Sequence, residues 1–132
     1  MTHVDFQINT KATARVIPIG EEKTPVVIID NVAVDTHDII RYAVNAARFA
    51  PDSDSGYPGL RAELPGIYLQ EIIRAVAPFL AKVYSVPHNL KIEVGSAYSL
   101  VATPPEELQV GQRIPHVDSN RKYHFAMTHY LN

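Results

Sequence analysis

Three features of this 132-residue sequence predict an α+β fold. Apolar residues recur at helical spacing over 35–49 and again over 65–85. A continuous β-branched run, Pro25-Val26-Val27-Ile28-Ile29, marks an early strand. From Leu90 onward the pattern turns to β, so that helices packed on one side precede a β-rich second half.

In chain order, Arg15-Val16-Ile17-Pro18-Ile19 reads as a short edge strand. The run 25–29 reads as a buried strand that stops at Asp30-Asn31. Asp35 has the side chain of an N-cap, and Asp38 three residues on complements a first helical turn. The helix over 35–49 then presents Ile39, Ile40, Ala43, Ala46 and Ala47 on one face. Turn formers fill 50–64, notably Pro51-Asp52-Ser53-Asp54-Ser55-Gly56-Tyr57-Pro58-Gly59. Pro65 suits a first helical residue, where its missing N–H is no loss. The second helix, 65–85, carries Leu69, Ile72, Ile73, Val76, Phe79, Leu80 and Val83 inward, and Pro78 kinks or restarts it. A long strand is expected over 90–103, bent at Gly95 and ended by Thr103-Pro104-Pro105. After a loop to Arg113 comes a short extended piece, 114–118. A last strand over 123–131 is expected to pair antiparallel with 90–103.

Composition narrows the chemistry. The net charge of −2 gives no bulk attraction to nucleic acid or to an anionic membrane. The chain has no cysteine, which removes disulfides, thiolate metal sites and a cysteine nucleophile, so any metal must be held by histidine and carboxylate. No apolar run approaches the roughly 20 residues of a membrane span. The N-terminus has no apolar leader core, and a cytoplasmic location is expected. A single domain over 1–132 is expected.

The chemistry concentrates in Gln112-Arg113-Ile114-Pro115-His116-Val117-Asp118-Ser119. In an extended chain, side chains two residues apart share a face, so the His116 imidazole and the Asp118 carboxylate converge. A nitrogen and an oxygen ligand so placed suit a divalent first-row metal, and two histidines with one carboxylate form the facial triad of iron(II) oxygenases. By itself the spacing more often marks a loop histidine beside a turn aspartate.

A wider set of segments carries a resemblance. Tyr98-Ser99-Leu100-Val101-Ala102-Thr103-Pro104-Pro105-Glu106-Glu107-Leu108, the run 112–119, Tyr130-Leu131-Asn132, and upstream Tyr57-Pro58-Gly59-Leu60-Arg61-Ala62 and Leu64-Pro65 together resemble a bacterial family. That family is related to the prolyl-hydroxylase-like iron(II)- and 2-oxoglutarate-dependent oxygenases. The resemblance covers nearly all of 25–132. It implies a partial double-stranded β-helix, or jelly roll, with two supporting helices. It implies Fe(II) on His116 and Asp118, 2-oxoglutarate as cosubstrate, and hydroxylation of a small molecule or peptide. Such oxygenases supply a second histidine and a 2-oxoglutarate-binding arginine beyond the Tyr-Leu-Asn strand, whereas this sequence stops at Asn132. The chain is therefore expected to be the N-terminal part of such a jelly roll, incomplete and inactive as it stands.

Three further residues are cofactor-binding candidates. Arg113 can meet an acidic ligand, or instead pair with Asp118 or a nearby glutamate. Tyr98 and Tyr130 can line the pocket, or serve as core and rim residues. Arg61 can face the site or pin its own loop. His124 and His129 fall on opposite faces of the expected last strand, as a substitute ligand or as hydrogen-bonded strand histidines. Glu106-Glu107 reads as a solvated turn. An apolar last strand with an open edge also predicts a homodimer formed through that strand. The alternatives to an oxygenase are a non-catalytic dimeric scaffold and a small-molecule binding module.

Overall fold

The computed structural model describes residues 3–131. Its elements run ββαββα, then a strand and two short turns of helix. The architecture is α+β, but strands and helices interleave instead of falling into two halves.

Strands β1 (Thr13–Ile19) and β2 (Thr24–Asp30) form an antiparallel hairpin with Val16 opposite Val27. Its turn needs left-handed backbone at Gly20 (φ 71°) and at Lys23 (φ 55°). Arg15 and Asp30 pair across it at 2.8 Å. The run 25–29, expected to be buried, is only half-buried, and β1 is exposed throughout. The reason is that the hairpin is a sheet of only two strands, attached along one side. Ile29 packs against the core, and the Tyr84 hydroxyl donates to the Pro25 carbonyl at 2.5 Å.

Helix α1 (His37–Asn45) is shorter than the expected 35–49. Thr36, and not Asp35, is the N-cap residue. The Asp35 carboxylate instead accepts the His37 amide at 2.8 Å, an Asx turn just outside the helix. At the other end, the Ala46 and Ala47 amides both reach the Tyr42 carbonyl at 2.9 Å, which closes the last turn. Asp38 behaves as expected of an acidic first-turn residue, accepting the Asp5 amide at 2.9 Å and pairing with Arg41.

Strands β3 (Ala50–Pro51), β4 (Gly59–Ala62) and β5 (Tyr98–Val101) make a second antiparallel sheet in the order β3-β4-β5. Between β4 and β5 runs helix α2 (Gly66–Val83), close to the expected 65–85. Pro65 sits at its N-cap, one position earlier than expected, and the helix passes through Pro78 without restarting. The residues it buries fully are Tyr68, Ile72 and Val76, while Phe79 is exposed. Leu69 and Leu80 pack against the core as expected, so the stripe differs in gaining Tyr68 and losing Phe79.

The core joins Phe6, Ile39, Ala62, Tyr68, Ile72, Val76 and Tyr98. Phe6 lies on Tyr68 with ring centroids 4.9 Å apart, and Tyr98 lies within 6.5 Å of Tyr42 and 6.0 Å of Phe49. The Tyr98 hydroxyl donates to the Ile39 carbonyl at 2.7 Å, which ties β5 to α1.

Two expectations for the second half are corrected. Of the expected strand over 90–103, only Tyr98–Val101 pairs. Residues 90–97 lack a ladder, and Leu90, Ile92 and Val94 are exposed. No strand forms over 123–131, so its expected pairing with 90–103 does not occur. That segment is held by side chains instead: Phe125 packs on Tyr84 at 4.8 Å, His129 on Tyr68 at 5.8 Å, and Leu131 against the core. Apolar alternation supplies a face but no neighbour, and a strand needs an edge to bond to. Among the described residues no helix is long and apolar enough to cross a membrane.

Candidate functional site

The candidate site lies beyond β5, where a 3₁₀ turn (Pro105–Glu107) leads into helix α3 (Val110–Arg113). Four residues would not hold a helix unaided, and two side chains do the work. Gln112 accepts the Gln109 amide at 2.8 Å through Oε1, one half of a capping box. Its Nε2 donates to the Gly56 carbonyl at 2.9 Å and so fastens α3 to the loop between β3 and β4. The Arg113 guanidinium donates back to the Leu108 carbonyl from Nε at 2.9 Å and from Nη2 at 2.6 Å. Ile114 then turns the chain extended, at φ −83° and ψ 127°.

The loop that Gln112 grips is itself pinned. Asp52 accepts the Ser55 hydroxyl at 2.7 Å and pairs with Arg61 at 3.0 Å, and Arg61 stacks 4.3 Å above the Tyr57 ring. The Ser55 hydroxyl is the main cause that holds the Asp52 carboxyl below its usual range. Arg61 is therefore the pin of its loop. Its Nε is buried and has no hydrogen-bond partner among the described residues.

His116 and Asp118 come together. His116 Nδ1 lies 3.0 Å from the Ile114 carbonyl, and Nε2 lies 3.2 Å from Asp118 Oδ1. A carbonyl can only accept, so Nδ1 carries a proton and Nε2 faces the carboxylate. Two states fit that geometry. Either Nε2 is protonated and the pair is an ion pair, or its lone pair stands beside an anion, an arrangement that a bound cation relieves. The Ile114 carbonyl, and then the Asp118 charge, push the His116 pKa above its ordinary value. Both side chains are largely exposed, at 66% and 75%, on a loop and not on the inner face of a sheet.

The other candidates lie elsewhere. Arg113 meets neither Asp118 nor a glutamate side chain, because its guanidinium is spent on backbone carbonyls. Tyr98 is buried in the core with its hydroxyl on Ile39, and burial pushes its pKa up to about 12. Tyr130 is exposed, as are His124 and the Glu106-Glu107 turn. His129 bonds the Tyr68 hydroxyl at 2.9 Å. Among the described residues, no three His, Asp or Glu side chains are grouped as a metal would need.

Sequence reasoning places Gln112 in the segment without its anchoring role and misses Tyr68. For Tyr68 the signal was present, since Tyr68, Ile72 and Val76 repeat at four-residue intervals and mark one helix face. For Gln112 there was none, because a partner 56 residues away is invisible to local pattern. No curated protein and no solved structure matches the chain. A model of the family described as a family of unknown function (DUF6445) matches residues 10–132, and the chain belongs to that family.

Proposed function

We propose that this chain is part of an iron(II)- and 2-oxoglutarate-dependent dioxygenase of the hydroxylase type, in which His116 and Asp118 are two of the metal ligands. The observation that carries the reading is the His116 ring itself. Its Nδ1 is committed to a backbone carbonyl, and its Nε2 is turned toward a carboxylate 3.2 Å away. A ligating histidine usually has this outer support, with one nitrogen fixed by a carbonyl and the other left for the metal. The donor pair thus fits two positions of a facial triad in kind and orientation. Among the described residues no third histidine or carboxylate is grouped with this pair.

In this reading, bound iron(II) with 2-oxoglutarate supplies the oxygen chemistry. The chain's own residues do the positioning. The Ile114 carbonyl sets the tautomer of His116, Gln112 and Arg113 fix the turn before it, and the Asp52–Gly59 loop abuts that turn. The jelly-roll frame belongs to the same proposal, with β3, β4 and β5 as part of one of its sheets, as does a cytoplasmic location. The resemblance over 25–132 supports both the cosubstrate and a small-molecule or peptide substrate.

Manganese(II) titration followed by electron paramagnetic resonance tests the proposal without turnover. Weak binding is expected, because two exposed ligands retain metal poorly. His116→Ala and Asp118→Ala should each weaken it about tenfold, or 1.4 kcal/mol. Equal binding by both variants and the parent would refute the assignment.

Self-association is the other reading with a specific observation behind it. The outer edge of β5 pairs with no described strand, and Leu100 and Val101 beside it are 51% and 70% exposed. An apolar edge of this kind recruits a partner strand, and a second copy of the chain offers the same edge. The proposed homodimer therefore uses β5 and not the segment 123–131. Light scattering at micromolar concentration should give twice the chain mass and fall to one with Leu100→Lys. A monomeric parent would end the scaffold reading.

A further inference from the structure

We propose that the segment from Tyr123 to Leu131 is a strap held on α2 at neutral pH by His129 and released in mild acid. The segment has no backbone ladder of its own. Three side chains dock it: Phe125 against Tyr84 at 4.8 Å, His129 against Tyr68, and Leu131 against the core. Only the middle contact is titratable at physiological pH. There the imidazole lies nearly parallel to the Tyr68 ring, 15° between planes, with Nδ1 2.9 Å from the hydroxyl.

The chemistry of that contact sets the direction of the switch. Tyr68 is 5% exposed, and its hydroxyl has no other partner recorded among the described residues. Its proton therefore goes to Nδ1, which requires a neutral imidazole protonated on Nε2. Protonating Nδ1 turns the acceptor into a donor. The buried hydroxyl proton then loses its acceptor, and a positive charge must sit half-buried beside aromatic rings.

The Tyr68 oxygen can accept from the protonated Nδ1, but this leaves the hydroxyl proton and the buried charge uncompensated. Among the described residues, the titratable group of α2 in contact with His129 is Tyr68. Behind it stands Tyr98 of β5, whose hydroxyl is taken by Ile39, and the N-terminal segment contributes the apolar Phe6. Among the described residues His129 has no ion-pair partner, and burial alone holds its pKa below the ordinary 6.5. A histidine with a depressed pKa in the docked state stabilises docking fully above the ordinary value and loses that contribution as pH falls through the docked value. Release exposes Tyr68 and frees the chain that follows the His116–Asp118 loop. None of this rests on the metal reading.

Nuclear magnetic resonance on the whole chain tests the strap. Between about pH 7.5 and pH 4.5, contacts from the Tyr68 ring to His129 and from Tyr84 to Phe125 should fade together, and the backbone of 123–131 should gain fast motion. The ratio of released to docked strap should rise up to about tenfold per pH unit, while the signals of Ile39 and Ile72 stay in place. His129→Gln keeps a neutral acceptor at every pH, so its strap should stay docked in acid. Tyr68→Phe leaves the ring and removes the hydroxyl, so its strap should loosen already at neutral pH. If that variant does not fold, the glutamine variant decides alone. A parent strap equally ordered at both pH values, or a His129→Gln strap that still releases in acid, would overturn the proposal.

Discussion

Replacing Ile39 by alanine should lower the folding free energy by about 2–5 kcal/mol, a large part of what a domain of this size has to lose. Ile39 is fully buried at the start of α1, with 0% of its surface exposed. The side chain faces the cluster of Phe6, Tyr68, Ile72 and Tyr98. Removing its outer carbons leaves a cavity that these rings cannot close without breaking the Tyr98 bond to the Ile39 carbonyl. Urea titration gives the test: the midpoint should fall sharply with little change in slope. Val44 in the same helix, 76% exposed, is the control, and Val44→Ala should move stability by no more than about 0.5 kcal/mol. An Ile39→Ala loss below about 1 kcal/mol would mean that the core is not centred where the packing puts it.

Gly59→Ala should be at least as damaging, for a steric reason. A Cβ at residue 59 would stand 1.8 Å from the Leu100 carbonyl oxygen and 2.8 Å from its carbon. Both are backbone atoms, so no rotamer relieves the overlap, and β4 must part from β5 where Gly59 pairs with Val101. Overpacking alone costs about 1–3 kcal/mol, and each buried ladder group left unpaired adds about 1–3 kcal/mol. A total of about 3 kcal/mol or more is expected, with faster amide exchange at Leu60, Arg61 and Ala62. Gly66, at the start of α2, has open space around its would-be Cβ. There alanine should be neutral or stabilising by up to about 1 kcal/mol. If Gly59→Ala folds as stably as Gly66→Ala, the β4–β5 register is wrong.

These substitutions also separate what sequence could reveal from what it could not. Both long helices and the two hairpin strands were legible, because each carries its signal within its own residues: spacing, a β-branched run, a proline before a helix. The His116–Asp118 convergence was legible for the same reason, since it is a matter of two-residue spacing. Failures came where the deciding partner is distant. The segment 123–131 has the alternation of a strand, yet side-chain docking on α2 decides its conformation. Residues 90–94 alternate apolar and charged side chains as a strand would, but 90–97 find no edge. On α2 the spacing marks the core-facing Leu69, Ile72, Val76 and Leu80, but it cannot exclude the exposed Phe79, which is as apolar as they are. Tyr68 is selected by Phe6 and His129, which approach it from near opposite ends of the chain. Asp35 was displaced as N-cap because its carboxylate closes a turn one residue earlier.

The composition of the core bears on how the chain acquires its shape during synthesis. Phe6 meets Tyr68, and Tyr68 meets His129, so one ring on α2 joins residues 61 positions later to residues 62 positions earlier. Ile39 likewise waits 59 positions for the Tyr98 hydroxyl. A nascent chain can close the β1–β2 hairpin and wind α1 and α2 as soon as they emerge, since those contacts are local. It cannot seal the core until β5 has left the ribosome, because loop closure over such spans must be met before burial rewards it. Until then Phe6, Ile39 and Ile72 stand exposed together, a window in which chaperones or neighbouring chains can engage them. Anything that stalls translation between α2 and β5 would prolong that window.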